Sequence, residues 1–430
     1  MSDSKSLCMI PWVHRFTNEQ GYHQLCCSGN GDANQLCGAD GKALHVRQGL
    51  TDAELLNSPD MKAIRLAMLR GEWPSACERC QRTEEAGSVS MRNHMAKRFE
   101  KWTAEVLGHT LTDGTLENPQ VRYADIRLGN VCNLMCRMCG PQASRLWADH
   151  HNAVRPRGYQ LTADVLSVFR NDNWVKSQPV KWLMEQCLPS VESLHFAGGE
   201  PLIIPEMVEL LEHCIASGRA GEIDLSYNTN MTVLPEKVTR LWPNFRSVSL
   251  LGSVDGFGRV NDYIRRPSKW SDIDRNFRLL DENFEKWRLR SVTASATVQI
   301  YNVLQIGELF EYLGSGFRHV APVPLLTALY DPVYLSIQIL PPRVKDIARA
   351  QLLAQRDNVK HLLGGKFHAQ VISIDSIIAY LDEAAPPGQL MDFLYFSEKS
   401  DRQFGESWRE SCPELARNLA RPGTPQPVAS

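Results

Sequence analysis

Three cysteines within eight residues constrain this chain more than any other feature. Cys132, Cys136 and Cys139 stand at i, i+4 and i+7 in the stretch Gly129-Asn130-Val131-Cys132-Asn133-Leu134-Met135-Cys136-Arg137-Met138-Cys139-Gly140, a C-x-x-x-C-x-x-C array. Thiolates so spaced on a short loop can converge on one face of an iron–sulfur cluster. A four-iron cube takes four ligands, and no fourth cysteine lies nearby in the sequence. Three ligands leave one iron open, which is the condition of a catalytic metal position rather than a structural one. Tetrahedral zinc would want a further Cys or His, and residues 141–147 offer neither. Three chance thiols in a strand–helix turn would be apolar filler.

The array resembles the signature of the radical S-adenosylmethionine (SAM) superfamily. That resemblance implies a [4Fe-4S] cluster on Cys132, Cys136 and Cys139, its open iron chelated by the amino and carboxylate groups of SAM. It also sets the residue before the last cysteine, Met138, against the adenine.

With 430 residues the chain can bury a large core and hold two or three domains. Its net charge of −2, without a long Lys/Arg run, argues against a dedicated nucleic-acid or anionic-membrane binder. The opening Met1-Ser2-Asp3-Ser4-Lys5 lacks the layout of a signal peptide. No stretch approaches the ~18 consecutive apolar residues of a membrane span. Twelve cysteines in such a chain suggest a reducing compartment, the cytoplasm, where clustered cysteines bind metal more often than they pair.

Six of those cysteines fall in the first hundred residues: Cys8, Cys26, Cys27, Cys37, Cys77 and Cys80. Cys77-Glu78-Arg79-Cys80 is a C-x-x-C knuckle whose sulfurs can reach one metal. Between Cys27 and Cys77 the pattern predicts a helix, capped by Asn57 or Ser58, opened by Pro59 and closed by Gly71. Its apolar face is Met61, Ile64, Met68 and Leu69. Residues 18–21 read as the turn of a hairpin that ends at Cys26. Such a module is too small to rest on its core alone and is stapled by metal. Taken alone, the four thiols suit structural zinc and an iron–sulfur cluster equally. The order Cys8-Met9-Ile10-Pro11-Trp12, then Gly21 to Cys26, then Cys77-x-x-Cys80, resembles the Twitch domain, the shortened form of the SPASM domain. That resemblance implies an auxiliary iron–sulfur cluster on Cys8, Cys26, Cys77 and Cys80, and it selects Cys26 over its neighbour Cys27. Cys37 is left as a loop thiol.

From residue 121 onward strand and helix patterns alternate. Strands are expected at residues 121–128, 192–197, 222–227, 247–253, 293–299 and 319–322, with helices between them. An insertion at 152–189 carries an amphipathic piece over 174–187. Cys187 and Cys214 lie on apolar stripes and read as core. Six βα units make an α/β fold, a partial (β/α)6 TIM barrel whose site lies at the carboxyl ends of its strands. The expected domains are 1–100 (the metal-stapled α+β Twitch module), 101–120 (a linker), 121–326 (the radical SAM core), 327–421 (a mostly helical region) and 422–430 (a Pro/Gly-rich disordered tail).

The strand ends carry polar or flexible residues. Gly198-Gly199-Glu200-Pro201 follows the second strand and resembles the family's GGE motif, which binds the SAM amino group; an ammonium wants such carboxylate and carbonyl acceptors. Asn230 ends the third strand with a side chain suited to ribose hydroxyls or substrate. Ser253-Val254-Asp255-Gly256 and the later Arg265 resemble the Ser-x-Asp-Gly and downstream Arg of SPASM/Twitch enzymes, with Ser253 near the ribose and Arg265 on the SAM carboxylate. The bland alternative for Asp255 and Arg265 is a turn Asp-Gly and a solvated arginine. Gln299 and Asn302 end the fifth strand. No catalytic acid or base is identifiable.

The resemblance implies a radical SAM enzyme that reductively cleaves SAM to a 5′-deoxyadenosyl radical and abstracts hydrogen from its substrate. A peptide or protein substrate is expected, with Trp174 and Trp182 of the insertion offering contact area. A small-molecule dehydrogenase is the alternative. A reducing partner such as flavodoxin or ferredoxin is implied. A non-catalytic electron carrier would need fully ligated clusters.

Overall fold

A computed structural model describes residues 5–85, 89–176, 181, 185–363 and 368–420. The expected tail at 422–430 and the expected contact residue Trp182 lie outside the described residues. The strands are β1 (His14–Thr17), β2 (His23–Gln24), β3 (Tyr123–Arg127), β4 (Ser193–Ala197), β5 (Asp224–Thr229), β6 (Ser247–Ser253), β7 (Leu289–Val298) and β8 (Leu325–Ala328). They form one eight-stranded sheet in the order β2-β1-β3-β4-β5-β6-β7-β8. The strands β3 to β8 follow one another in both sequence and space, as consecutive βα units commonly do. Alternate residues of β5, β6 and β7 are buried, so each of these strands hides one face.

Two compact units divide the chain. The first comprises Met1–Val131, Asp172–Tyr227 and Glu236–Val248; the second comprises Cys132–Asn171, Asn228–Pro235 and Ser249–Ser430.

In the first unit, β1 pairs in parallel with β3, Phe16 opposite Asp125, and antiparallel with β2. The parallel pairing with β3 was not expected from the sequence, whereas the hairpin of these two strands was. They are four and two residues long, too short for a period to be legible. The turn between them is the expected one: Gly21 has φ +87°, and the Asn18 side chain accepts from the Gln20 and Tyr22 amides. The helix Pro59–Leu69 starts after Ser58 and buries Met61, Ile64 and Met68. It differs from expectation at two places: Leu69 is exposed, and Arg65 is buried. The Arg65 guanidinium donates to Pro11 O, Gly114 O and Asn57 Oδ1 at 2.7–3.0 Å, which satisfies a cation the stripe otherwise could not hold. Helix Pro205–Ala216 buries Met207, Leu210, Leu211 and Cys214 as its stripe requires. Trp174 is 1% exposed and donates to Glu19 O, so it offers no contact area to a substrate.

In the second unit, β7 and β8 pair in parallel from Ser295–Leu325 to Val298–Ala328. The expected strand at 319–322 is a single bridge between Val292 and Val320; the ladder proper begins three residues beyond its end, after Pro322 and Pro324, which cannot donate. The expected helix after the cysteine loop is a 3-10 turn, Arg145–Asp149, followed by the four-residue helix His151–Val154. Helices Pro342–Leu363, His368–Asp382 and Gln389–Phe404 follow the last strand, and His368–Asp382 packs on β8. Among the described residues no helix is long and apolar enough to cross a membrane.

Candidate active site and auxiliary cysteine site

The strand β3 ends in Gly129, whose φ of +74° turns the chain toward the cysteines. The loop after β4 comes against this turn. The Gly199 amide donates to Gly129 O and the Glu200 amide to Val131 O, both at 2.9 Å. A Cβ on Gly199 would stand 2.1 Å from Val131 O, and one on Gly198 2.7 Å from Gly129 O. The two glycines are therefore demanded by backbone packing against the start of the cysteine loop. Glu200 is wholly buried, and its carboxylate accepts from the Leu202 amide at 3.1 Å, capping the 3-10 turn Pro201–Ile203.

In the second unit the loop Cys132–Cys139 is tied down along its length. The Met135 amide donates to Arg266 O and the Arg137 amide to Ile264 O, at 2.7 and 2.8 Å. Trp147 Nε1 donates to Cys136 O at 3.0 Å, and Ser144 Oγ to Leu134 O at 2.7 Å. Arg137, wholly buried between two cysteines, pairs with Glu406 at 2.5 Å and Asp401 at 3.3 Å and lies 3.5 Å from the centre of the Tyr263 ring. So the C-terminal region, through Asp401 and Glu406, holds the loop by one side chain.

The thiols meet. Cys136 and Cys139 share a hydrogen bond, which, with burial, pushes Cys136 up. The same bond, helped by Arg265, holds Cys139 below the usual thiol range, and Cys132 is close enough to act against it. Asn230 donates to Asn133 Oδ1 at 2.8 Å and faces the Cys132 sulfur at 3.9 Å, so its amide props the loop. Met138 is half-buried, with Gln299 Nε2 3.9 Å from its sulfur. The Gln299 Oε1 is buried without a partner.

Asp255 and Arg265 form a buried ion pair at 2.7 Å. The Thr297 amide donates to the same carboxylate at 2.7 Å, and Asn302 to the Asp255 carbonyl at 2.8 Å. Burial pushes the Asp255 carboxyl up against the pull of Arg265. Burial opposes the Arg265 charge, but Asp255 and the Cys136 thiol outweigh it and hold the guanidinium well above its ordinary value. Arg265 thus faces Cys136 at 3.9 Å rather than standing in solvent, and Asp255 is no mere turn residue. Ser253 is half-buried at the end of β6.

The donor set fits a thiolate-bound cluster. Cys136 and Cys139 meet beside a fixed cation with Cys132 on the same loop, and an orphaned carboxamide oxygen lies next to Met138. Among the described residues no three His, Cys, Asp or Glu side chains are drawn together as around a single ion.

In the first unit Cys8, Cys26, Cys77 and Cys80 line one narrow cavity with Ile10, Met68 and Trp73. Burial, with a smaller push from neighbouring thiols, raises the Cys8 and Cys77 thiols to about 12 and pushes Cys26 up as well. Cys27 is exposed, and the charged groups acting on it are Asp125 and Arg127. Cys37 does not line the cavity; its amide donates to Asp60. One residue against the cysteine loop had no legible signal: Arg155, which reaches the Cys139 carbonyl from the insertion.

Residues 126–299 match the Radical SAM superfamily. No curated protein matches the chain. Among solved structures, native anSMEcpe with bound AdoMet is similar at 16% identity and a TM-score of 0.36, covering 55% of this chain and 61% of that one. Streptococcus suis SuiB bound to S-adenosylmethionine is similar at 12% identity and a TM-score of 0.34, covering 70% of this chain and 62% of that one. The same enzyme bound to its precursor peptide SuiA gives 17%, 0.33, 66% and 60%. The chain thus spans about three fifths of the length of each of these structures. Similarities this remote assign no substrate.

Proposed function

We propose, from the radical SAM domain at residues 126–299, that this chain is an enzyme that cleaves SAM reductively and abstracts hydrogen from a carbon of its substrate. Members of that superfamily are enzymes, and the family implies a [4Fe-4S] cluster and SAM. The observation that carries the reading is the hydrogen-bonded pair Cys136 and Cys139 beside Arg265, on one loop with Cys132. When bound, the cluster supplies the electron that breaks the sulfonium bond and frees a hydrogen-abstracting 5′-deoxyadenosyl group.

The chain's own residues position and shield. Arg137 and Trp147 hold the loop, and Asp255 orients Arg265 toward Cys136. In this reading Met138 and Gln299 Oε1 receive the adenosine, and Ser253 and Asn230 stand by the ribose. Gly198, Gly199, Glu200 and Pro201 hold the SAM amino end through carboxylate and carbonyl acceptors. Arg265, already paired, serves the cluster and the SAM carboxylate together. The Twitch-like module carries the auxiliary cluster on Cys8, Cys26, Cys77 and Cys80, supported by the shared cavity of these four thiols. A flavodoxin- or ferredoxin-type reductant in the cytoplasm supplies electrons.

The test is anaerobic purification, an iron and sulfide count, and detection of 5′-deoxyadenosine from SAM. Iron at both cysteine sets with SAM cleavage is expected. Zinc alone, with no iron, overturns the reading. The substrate proposed is a peptide or protein, oxidised or cross-linked at carbon. Incubation with deuterated candidate peptides and weighing of the 5′-deoxyadenosine decides it. Label taken only from a small metabolite replaces the peptide with a small-molecule dehydrogenation.

A further inference from the structure

Three buried arginines lie in or against the cysteine loop, and they differ in one respect. Arg137 is neutralised by Asp401 and Glu406, and Arg265 by Asp255. Arg155 has no such partner among the described residues. It is 3% exposed, and its guanidinium donates to the carbonyl of Cys139 and the hydroxyl of Tyr334, both neutral acceptors. The rings of Trp147 and Phe396 lie 4.9 and 4.7 Å from it, and its Nε is buried with no acceptor. Asp331 lines the same cavity of about 250 Å³ but makes no ion pair with it.

A buried cation without an anion is among the costliest groups a protein can hold. Aromatic faces and two neutral oxygens offset part of that cost. They do not cancel the charge, whose field reaches the loop through the Cys139 carbonyl. A paired cation presents only a dipole to its surroundings, whereas an unpaired one presents a full charge, and in a low-dielectric interior that difference is large.

We propose that Arg155 is the counter-charge of the thiolate-bound cluster on Cys132, Cys136 and Cys139, and that its field raises the cluster's reduction potential. The proposal rests on the reading that this loop holds a cluster. Reduction adds one electron, taken from the low-potential carrier or from dithionite in the test, and makes or breaks no bond in the protein. The added negative charge is stabilised by the fixed positive one. Arg155 is a charge partner and touches no reacting atom, so its signature is a potential rather than a rate.

The experiment is an anaerobic redox titration of the loaded full chain, following the spin-resonance signal that disappears in the Cys132/Cys136/Cys139→Ala variant. Arg155→Gln keeps a donor for the Cys139 carbonyl and removes the charge. Arg155→Lys keeps the charge and loses the planar fork. At one fixed potential the ratio of reduced to oxidised cluster should fall at least tenfold in Arg155→Gln, which is about 59 mV for a one-electron couple. In Arg155→Lys it should stay within about threefold of the starting protein. An unchanged ratio in the Gln variant overturns the proposal, and so does an equal fall in both. Loss of the loop's iron from both variants overturns it too, since Arg155 would then be a structural tie. If the unaltered chain binds no iron at the loop, the cluster reading itself has failed, a result distinct from all of these.

Discussion

The Arg265 guanidinium lies 2.7 Å from the Asp255 carboxylate and 3.9 Å from the Cys136 sulfur. Both charged side chains are buried, so the pair couples the end of β6 to the middle of the cysteine loop.

Asp255→Asn leaves the Arg265 cation buried without its anion. The expected cost to the metal-free protein is about 3–5 kcal/mol, because an uncompensated buried charge is worse than none. The double variant Asp255→Leu/Arg265→Leu should recover much of that loss. Urea unfolding of the parent and the two variants measures it, and a single variant as stable as the parent contradicts a buried pair.

Gly199→Ala would put a Cβ 2.1 Å from Val131 O, backbone that has no free rotamer with which to yield. The turn before Cys132 must shift, and the loop's metal should be lost together with SAM cleavage. Iron per chain should drop to about half, the share of the auxiliary site if each set holds one cluster of equal size. Full iron in this variant shows that the two loops can part without harm.

Replacement of Cys132, Cys136 and Cys139 by alanine should also leave about half of the iron and sulfide, since the other four thiols share their own cavity. Retention of all the iron would mean that the two sets are not independent.

The auxiliary thiols respond to pH in a defined direction. Burial sets Cys8 and Cys77 at about 12, against 9.0 for an ordinary thiol, so the folded metal-free chain holds more protons than the unfolded chain between those values. That contribution to stability is complete below pH 9.0 and is lost as pH rises toward about 12. The metal-free protein should therefore unfold at lower urea at pH 11 than at pH 8, and Cys8→Ala should reduce the difference. Metal ligation needs thiolates, so loading with ferrous iron and sulfide should release protons and strengthen as pH rises. Proton release measured in weak buffer checks it; loading that releases none would place the metal elsewhere.

The sequence by itself pointed to the cysteines proposed to hold metal and to an α/β fold. Cys132, Cys136 and Cys139 are legible because ligand spacing is local, and the alternation of strand and helix patterns after residue 121 is legible because burial repeats at 2 or at 3.6 residues. Tertiary structure decided what those residues touch. Nothing in the spacing of Gly198 and Gly199 says that they press on Val131 and Gly129, and nothing around Arg137 names Glu406, 269 residues away. The turn at residues 18–21 announces the hairpin of β1 and β2, but nothing in so short a strand says that β1 pairs in parallel with β3. Arg155 lies outside every motif, and its burial without an anion arises only when the chain closes around it. Local chemistry is written in neighbouring residues, but charge compensation and close backbone approach depend on segments that only folding brings together.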